Sequence, residues 1–171
     1  DFKNGQFSGT GKQFNENGVL LYEGLFRDGL YHGEGTLFRG NGSKYISGKW
    51  VFGKPHGPVQ FYFPDNGLLQ YEGGLKKMDD GGFVFQGQGT LYNQTGQSVY
   101  QGLWEDGTRS GNGTAWLEDG SIYSGNWVDD YPDGKGTYLF PDGTEYEGGF
   151  IRGKKHGQGT FKEADGFVSY D

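Results

Sequence analysis

One stretch constrains the fold of this chain more than any other. It is Tyr22-Glu-Gly24-Leu-Phe26-Arg-Asp-Gly29-Leu-Tyr-His32-Gly33-Glu-Gly35-Thr-Leu-Phe38, and its spacing of rings and glycines returns along almost the whole length. The glycine two places after the tyrosine recurs at Gly24, Gly48, Gly73, Gly102, Gly125 and Gly148, at intervals of 23 to 25 residues with one of 29. A period in this range marks a repeat architecture, in which each unit buries its apolar face only against its neighbours. Seven units are visible. The first is entered partway, with Phe2, Gly5, Gly9, Gly11 and Gly18 matching Phe26, Gly29, Gly33, Gly35 and Gly42, and the chain stops inside an eighth, at Tyr170 and Asp171. Partial units at both ends and a first residue other than Met suggest that residues 1–171 are one array cut from a longer chain.

Within a unit, Tyr-x-Gly-x-Trp/Phe alternates large and small residues with the two-residue period of a strand, not the 3.6-residue period of a helix. The Gly-x-x-x-Gly segment that follows, as at Gly29 to Gly33, is expected to supply the reversing turn. Apolar runs such as Thr36-Leu37-Phe38 and Thr137-Tyr138-Leu139-Phe140 read as the returning strand. Asp119-Gly120, Asp142-Gly143 and Asp165-Gly166 mark the turn into the next unit. Each unit is therefore predicted to be one β-hairpin.

The units starting at Tyr22, Tyr100 and Tyr146 resemble the MORN (membrane occupation and recognition nexus) repeat, Tyr-x-Gly-x-Trp/Phe-x-x-Gly-x-x-x-Gly-x-Gly, with few departures. The resemblance covers essentially the whole chain. It implies an all-β fold, an elongated, single-layer, twisted antiparallel sheet of about seven consecutive hairpins. It also implies a scaffold role in membrane-proximal or cytoskeletal assembly, and the absence of cysteine fits a cytoplasmic location.

Departures from the pattern carry their own expectations. Ile46 stands in place of Tyr, Leu75 in place of Trp or Phe, Val59 in place of the second Gly of Gly-x-Gly, and Asp130 in place of the mid-turn Gly. Asp tolerates the left-handed region, so Asp130 is a mild change; a β-branched residue there is an outlier. The Gly replaced by Val59 is thus inferred to serve close approach of a ring more than backbone handedness. The unit from Ile46, with Pro55 and Pro58, is expected to be the least regular hairpin. The unit from Tyr71 has five extra residues within Lys76 to Gln86, expected as a longer hairpin loop.

Composition narrows the function classes. Aromatic residues make up 18 of the 32 per cent apolar content, and Gly accounts for 36 of 171 residues, so the core should be rows of rings packed over glycines. A net charge of -7 argues against a nucleic-acid surface, which needs a concentrated basic patch. No apolar run has the length of a membrane span. There are no cysteines, which excludes disulfides and thiolate metal sites within these residues. Sequons begin at Asn41, Asn93 and Asn112, triplets that turn-rich sequences also produce by chance.

Every chemistry-bearing residue type follows the repeat instead of converging on one place. His32, His56 and His156 each precede the same Gly, Glu23, Glu72 and Glu147 each follow the tyrosine, and Asp65, Asp119, Asp142 and Asp165 lie near unit-ending turns. No catalytic residue, metal site or cofactor is assigned. Gly153-Lys-Lys-His-Gly157-Gln-Gly159-Thr160 lacks the ending and the following helix of a phosphate-binding loop. The candidate site is the aromatic row Tyr22, Phe26, Trp50, Tyr71, Tyr100, Trp104, Tyr123, Trp127, Tyr146 and Phe150, which share strand parity and should project from one face. In a single layer nothing is expected to cover these rings, so they are read as a groove for a helical or extended peptide of a protein partner. Arg152, Lys154, Lys155 and His156 are the only dense basic stretch and the candidate anion or lipid contact.

The residues leave three readings open: a non-enzymatic protein-interaction scaffold, phosphoinositide or membrane-surface binding, and a regulatory or targeting module attached to an enzyme. Unpaired strand edges at the two ends are expected to template homo-association through terminal hairpins. A single layer also has a measurable shape. Roughly 14 strands at about 4.8 Å each give a sheet about 65 to 70 Å long. Small-angle scattering should then return a radius of gyration near ~20 Å, whereas about 15 to 16 Å would indicate a compact globule.

Overall fold

The computed structural model describes residues 2–3 and 5–170, with side chains from 5 to 168. The side chains of Phe2 and Tyr170, and the whole of Asp171, lie outside the described residues. Strands β1 (Phe2–Lys3) and β2 (Gln6–Phe7) pair with each other. Strands β3 (Gly9–Phe14) to β16 (Val168–Tyr170) make a fourteen-stranded antiparallel sheet in which successive strands are neighbours, without a crossover. This is the all-β succession of hairpins that the repeat predicts.

The chain divides into two compact units, residues 1–85 with 92–97, and residues 86–91 with 98–171. The first holds the hairpins β4 (Leu20–Arg27) with β5 (Leu30–Phe38) and β6 (Lys44–Val51) with β7 (Lys54–Tyr62), followed by β8 (Leu69–Lys77). Strand β9 (Phe83–Tyr92) contributes residues to both. The second holds β10 (Ser98–Glu105) with β11 (Thr108–Trp116), β12 (Ile122–Val128) with β13 (Tyr131–Leu139), and β14 (Glu145–Ile151) with β15 (Lys154–Lys162).

The turn is tighter than the Gly-x-x-x-Gly spacing suggests. Only its first glycine turns the chain: Asp28-Gly29, Phe52-Gly53, Asp106-Gly107, Asp129-Asp130 and Arg152-Gly153 are two-residue turns with positive φ at both positions. Such turns match the twist of the flanking strands. The second glycine lies inside the returning strand, where the register shifts. Gly24 faces Gly35 but Leu25 faces His32, so Gly33 and Glu34 have no partner on β4. The same shift follows Gly48, Gly102, Gly125 and Gly148. Gly33 takes φ 61° there, and a residue with a Cβ would also meet the Leu25 side chain.

Across four of these five shifts lies a tyrosine. The Tyr22 hydroxyl donates to the Leu25 carbonyl (3.2 Å), and Tyr100, Tyr123 and Tyr146 donate to the Leu103, Asn126 and Gly149 carbonyls at 3.0, 2.9 and 3.4 Å. To reach it, each ring lies flat over the Gly-Gly pair. A Cβ on Gly35, Gly113, Gly136 or Gly159 would fall onto the tyrosine ring or hydroxyl of its own hairpin, and none of these four glycines has positive φ. Close approach is thus the reason for the glycine. Where Ile46 replaces the tyrosine no ring crosses, and Val59 fills the space opposite Gly48, 2% exposed.

That exchange also corrects the expectation for the unit from Ile46. Its hairpin has the same two-residue turn, strand lengths and register shift as the others, so it is not the least regular. Asp130 takes φ 69°, as a glycine substitute should. The insertion in the unit from Tyr71 gives a loop at 78–82, closed by Met78 and Gly82 (N to O, 2.8 Å).

The paired exchange is transferable if it is cause and not coincidence. Gly113→Val alone should lose about 3 kcal/mol through overpacking against Tyr100. Adding Tyr100→Ile should restore part of that loss, giving a favourable coupling of about 1 to 3 kcal/mol in a double-mutant cycle by denaturant unfolding. Strict additivity would show that ring and glycine act independently.

Candidate functional site

The ten ring positions read from the sequence as an uncovered partner face do share one face, but they form the core. Tyr22, Phe26, Trp50, Tyr71, Tyr100, Trp104, Tyr123, Trp127, Tyr146 and Phe150 are all buried, none more than 8% exposed. Rings meet edge to face, as Tyr22 with Phe26 at 5.1 Å, Tyr100 with Trp127 at 5.3 Å and Tyr123 with Phe150 at 5.0 Å. Where the repeat has Trp, the indole ties its hairpin to the one before: Trp50 Nε1 donates to the Gly35 carbonyl and Trp127 Nε1 to the Gly113 carbonyl, both at 3.1 Å. Replacing Trp104 or Trp127 by Ala would therefore report on folding before binding.

The cover that a single layer was expected to lack comes from the returning strand. The residue opposite the Trp/Phe position folds over the tyrosine. Tyr31, opposite Phe26, stacks on Tyr22 at 3.8 Å, and Phe85 stacks on Tyr71 at 3.8 Å. Arg109, opposite Trp104, lies 4.3 Å from the Trp127 ring centre. Asp130 holds it there: its Oδ1 accepts from both the backbone N–H and Nε of Arg109 at 2.9 Å, and its carbonyl accepts from Nη2 at 2.8 Å. Sequence reasoning missed Arg109. Its position, equivalent to Tyr31 in the repeat, was the available signal.

The same logic divides the basic stretch. Lys155, opposite Phe150, turns to the ring face, where its Nζ lies 4.4 Å from Phe161 and 4.8 Å from Tyr146. Lys154 and His156 alternate to the other face, and Arg152 sits in the turn, its N–H donating to Asp133 Oδ2 at 3.2 Å. The four residues do not converge on one anion.

The face away from the rings is open and polar. In the first unit Glu23, Thr36, Ser47, Gln60 and Glu72 are successive cross-strand partners, one per strand from β4 to β8. In the second, Gln101, Thr114, Ser124, Thr137, Glu147 and Thr160 continue the pattern from β10 to β15. Each rung adjoins the Gly row, leaving grooves of about 450 Å³ over Gly24, Gly35 and Gly48 and about 930 Å³ over Gly125, Gly136 and Gly148. Neighbouring rungs bond to each other, as Thr114 and Ser124 at 2.9 Å, and Glu23 pairs with Lys12 at 3.1 Å.

Among the described residues no group of three or more His, Cys, Asp or Glu side chains could hold a metal ion. His32 packs its ring on Phe52 at 5.4 Å with Nδ1 unpartnered. Two of the three sequons have a local structural use, since Asn41 and Asn93 accept the backbone N–H of Ser43 and Thr95 at 3.0 Å and shape their turns.

These features define a repeat-built β-sheet module whose side chains serve packing on one face and display on the other. The MORN repeat model matches residues 1–19, 22–44, 47–68, 100–122, 123–145 and 146–167. The chain belongs to the MORN repeat family, and its repeat-built sheet is consistent with the interaction and scaffold role typical of such domains. The unmatched stretch, 69–99, contains Leu75 and the five inserted residues. No curated protein matches the chain.

Burial pushes the Tyr22, Tyr100 and Tyr123 hydroxyls up to about 12, and Tyr31 upward as well; nearby Tyr31 and Glu34 add to the shift at Tyr22, and Arg109 opposes it at Tyr100. An unfolded tyrosine ionises near ~10. Their contribution to stability is therefore complete below about pH 10 and is lost as pH rises towards about 12, because only the unfolded chain releases those protons. Phenolate absorbance and circular dichroism across this range should show ionisation of these rings delayed until the sheet unfolds. Full ionisation near pH 10 with the sheet intact would contradict their burial.

Proposed function

We propose that this chain is a scaffold module that lays a helical or extended peptide of a protein partner across its polar ladder. The observation that carries this reading is the division of the sheet: the rings are enclosed, while an in-register row of Thr, Ser, Gln and Glu beside a glycine floor is left open in each unit. Beside the row the groove floor is strand backbone, whose side chains turn to the ring face, so a partner backbone can come close to the polar rungs. A cytoplasmic location near cytoskeleton or membrane fits such an adaptor.

Proximity labelling and pull-down with the intact chain and with Thr36→Arg and Thr137→Arg variants would test it. Partners captured by the parent should be lost on blocking the ladder, with circular dichroism unchanged. Retention by both variants would place the partner elsewhere. Direct lipid binding is the competing reading, and the division of Lys155 from Lys154 and His156 weighs against it. Polybasic attraction usually needs clusters of about 4 to 8 cations. The chain should therefore fail to sediment with anionic or phosphoinositide-containing vesicles at physiological salt. Saturable sedimentation abolished by Lys154→Glu with Lys155→Glu would put lipid first.

A further inference from the structure

Two exposed apolar patches lie at hairpin ends, apart from both the core and the middle of the polar ladder. In the first unit Leu25, Leu30 and Phe52 are 40%, 46% and 52% exposed. Phe52 is the unexpected member. The equivalent turn position is Asp28, Asp106 or Asp129 in three other hairpins, and all take positive φ. A bulky side chain is disfavoured in that region, where Asp is among the better tolerated residues. Phe52 nevertheless takes φ 47° and leaves half its ring in water, with the His32 ring and the Arg27 guanidinium at 5.4 and 5.8 Å. Backbone strain that holds an exposed ring at a tip gives the fold little in return, and such strain is characteristic of contact sites.

The second patch is in the other unit. Val128 and Tyr131 face each other across the β12–β13 turn at 47% and 54% exposure. The charges around the two patches differ in sign. Arg27, Lys49 and Lys54 surround the first, against Asp28 and Glu34. Glu105, Asp129 and Asp133 surround the second, against Arg152, whose N–H donates to Asp133, and Lys154, while Arg109 and Asp130 are engaged with each other. One apolar patch therefore carries a cationic excess and the other an anionic excess. Apolar centres with complementary charged rims are the pattern of a specific protein interface.

We propose that these patches bind each other between two copies of the chain, with the Phe52 hairpin end of one copy seated on the Val128–Tyr131 hairpin end of another. The contact is heterologous, so each copy offers one donor and one acceptor surface. It goes beyond the ladder-binding reading and does not depend on it.

The test is sedimentation velocity of the full chain over a wide concentration range, with Phe52→Asp and Tyr131→Lys. The parent should self-associate, more weakly at high salt because the rims are exposed. Either variant alone should weaken association about tenfold or more, as loss of an aromatic interface anchor does. Phe52→Asp should melt at or above the parent temperature, since Asp is the residue of the sibling turns. Mixing the two variants should restore a dimer, because each retains the surface that the other has lost. A parent that stays monomeric, a marked loss of thermal stability in Phe52→Asp, or a mixture that behaves as two monomers would each overturn the proposal. So would association that Val128→Lys and Tyr131→Lys both leave untouched.

Discussion

The structure depends on one contact: a tyrosine ring laid over a pair of facing glycines so that its hydroxyl reaches a backbone carbonyl where the ladder changes register. A register shift in the middle of a sheet leaves backbone groups that need partners, and an unsatisfied one costs about 1 to 3 kcal/mol. The tyrosine supplies a donor from above the sheet at Leu25, Leu103, Asn126 and Gly149. Its ring at the same time buries apolar surface that one hairpin could not bury alone. Backbone satisfaction and core formation are thus one act, repeated along the chain, and the glycines follow from the ring's need for room.

This coupling explains why so much of the fold was legible in the sequence. The period, the strand parity of the rings and the role of the glycine at the Val59 position are all readable, because each repeat restates the same steric requirement. The pairing of Ile46 with Val59 is a small internal control: when the ring goes, the glycine goes with it. Turn geometry was less legible. Gly29 and Gly33 are alike in the sequence, yet one turns the chain and the other relieves a bulge, and only the pairing register separates them.

The candidate site was the least legible part, for a physical reason. Parity places the ten rings correctly on one face, but parity says nothing of what lies above them. Tyr31, Phe85, Arg109 and Lys155 are chemically unlike each other, so the position they share does not stand out as a motif. Their common property is a long or flat side chain that can fold over the ring beneath. The surface left for display is consequently the polar one, whose Thr, Ser, Gln and Glu rungs form no motif in the sequence.

The indole bonds have a mechanical consequence. Trp50 and Trp127 fasten their hairpins to the carbonyl of the preceding one, whereas Phe150 stands at the same position with a ring but no N–H. Under tension along the second unit the joint at Phe150 is held by ring packing and strand hydrogen bonds, without the additional indole clasp. A pulled array would part first at such seams, so the choice between Trp and Phe along the repeat writes an order of rupture into an otherwise uniform sheet.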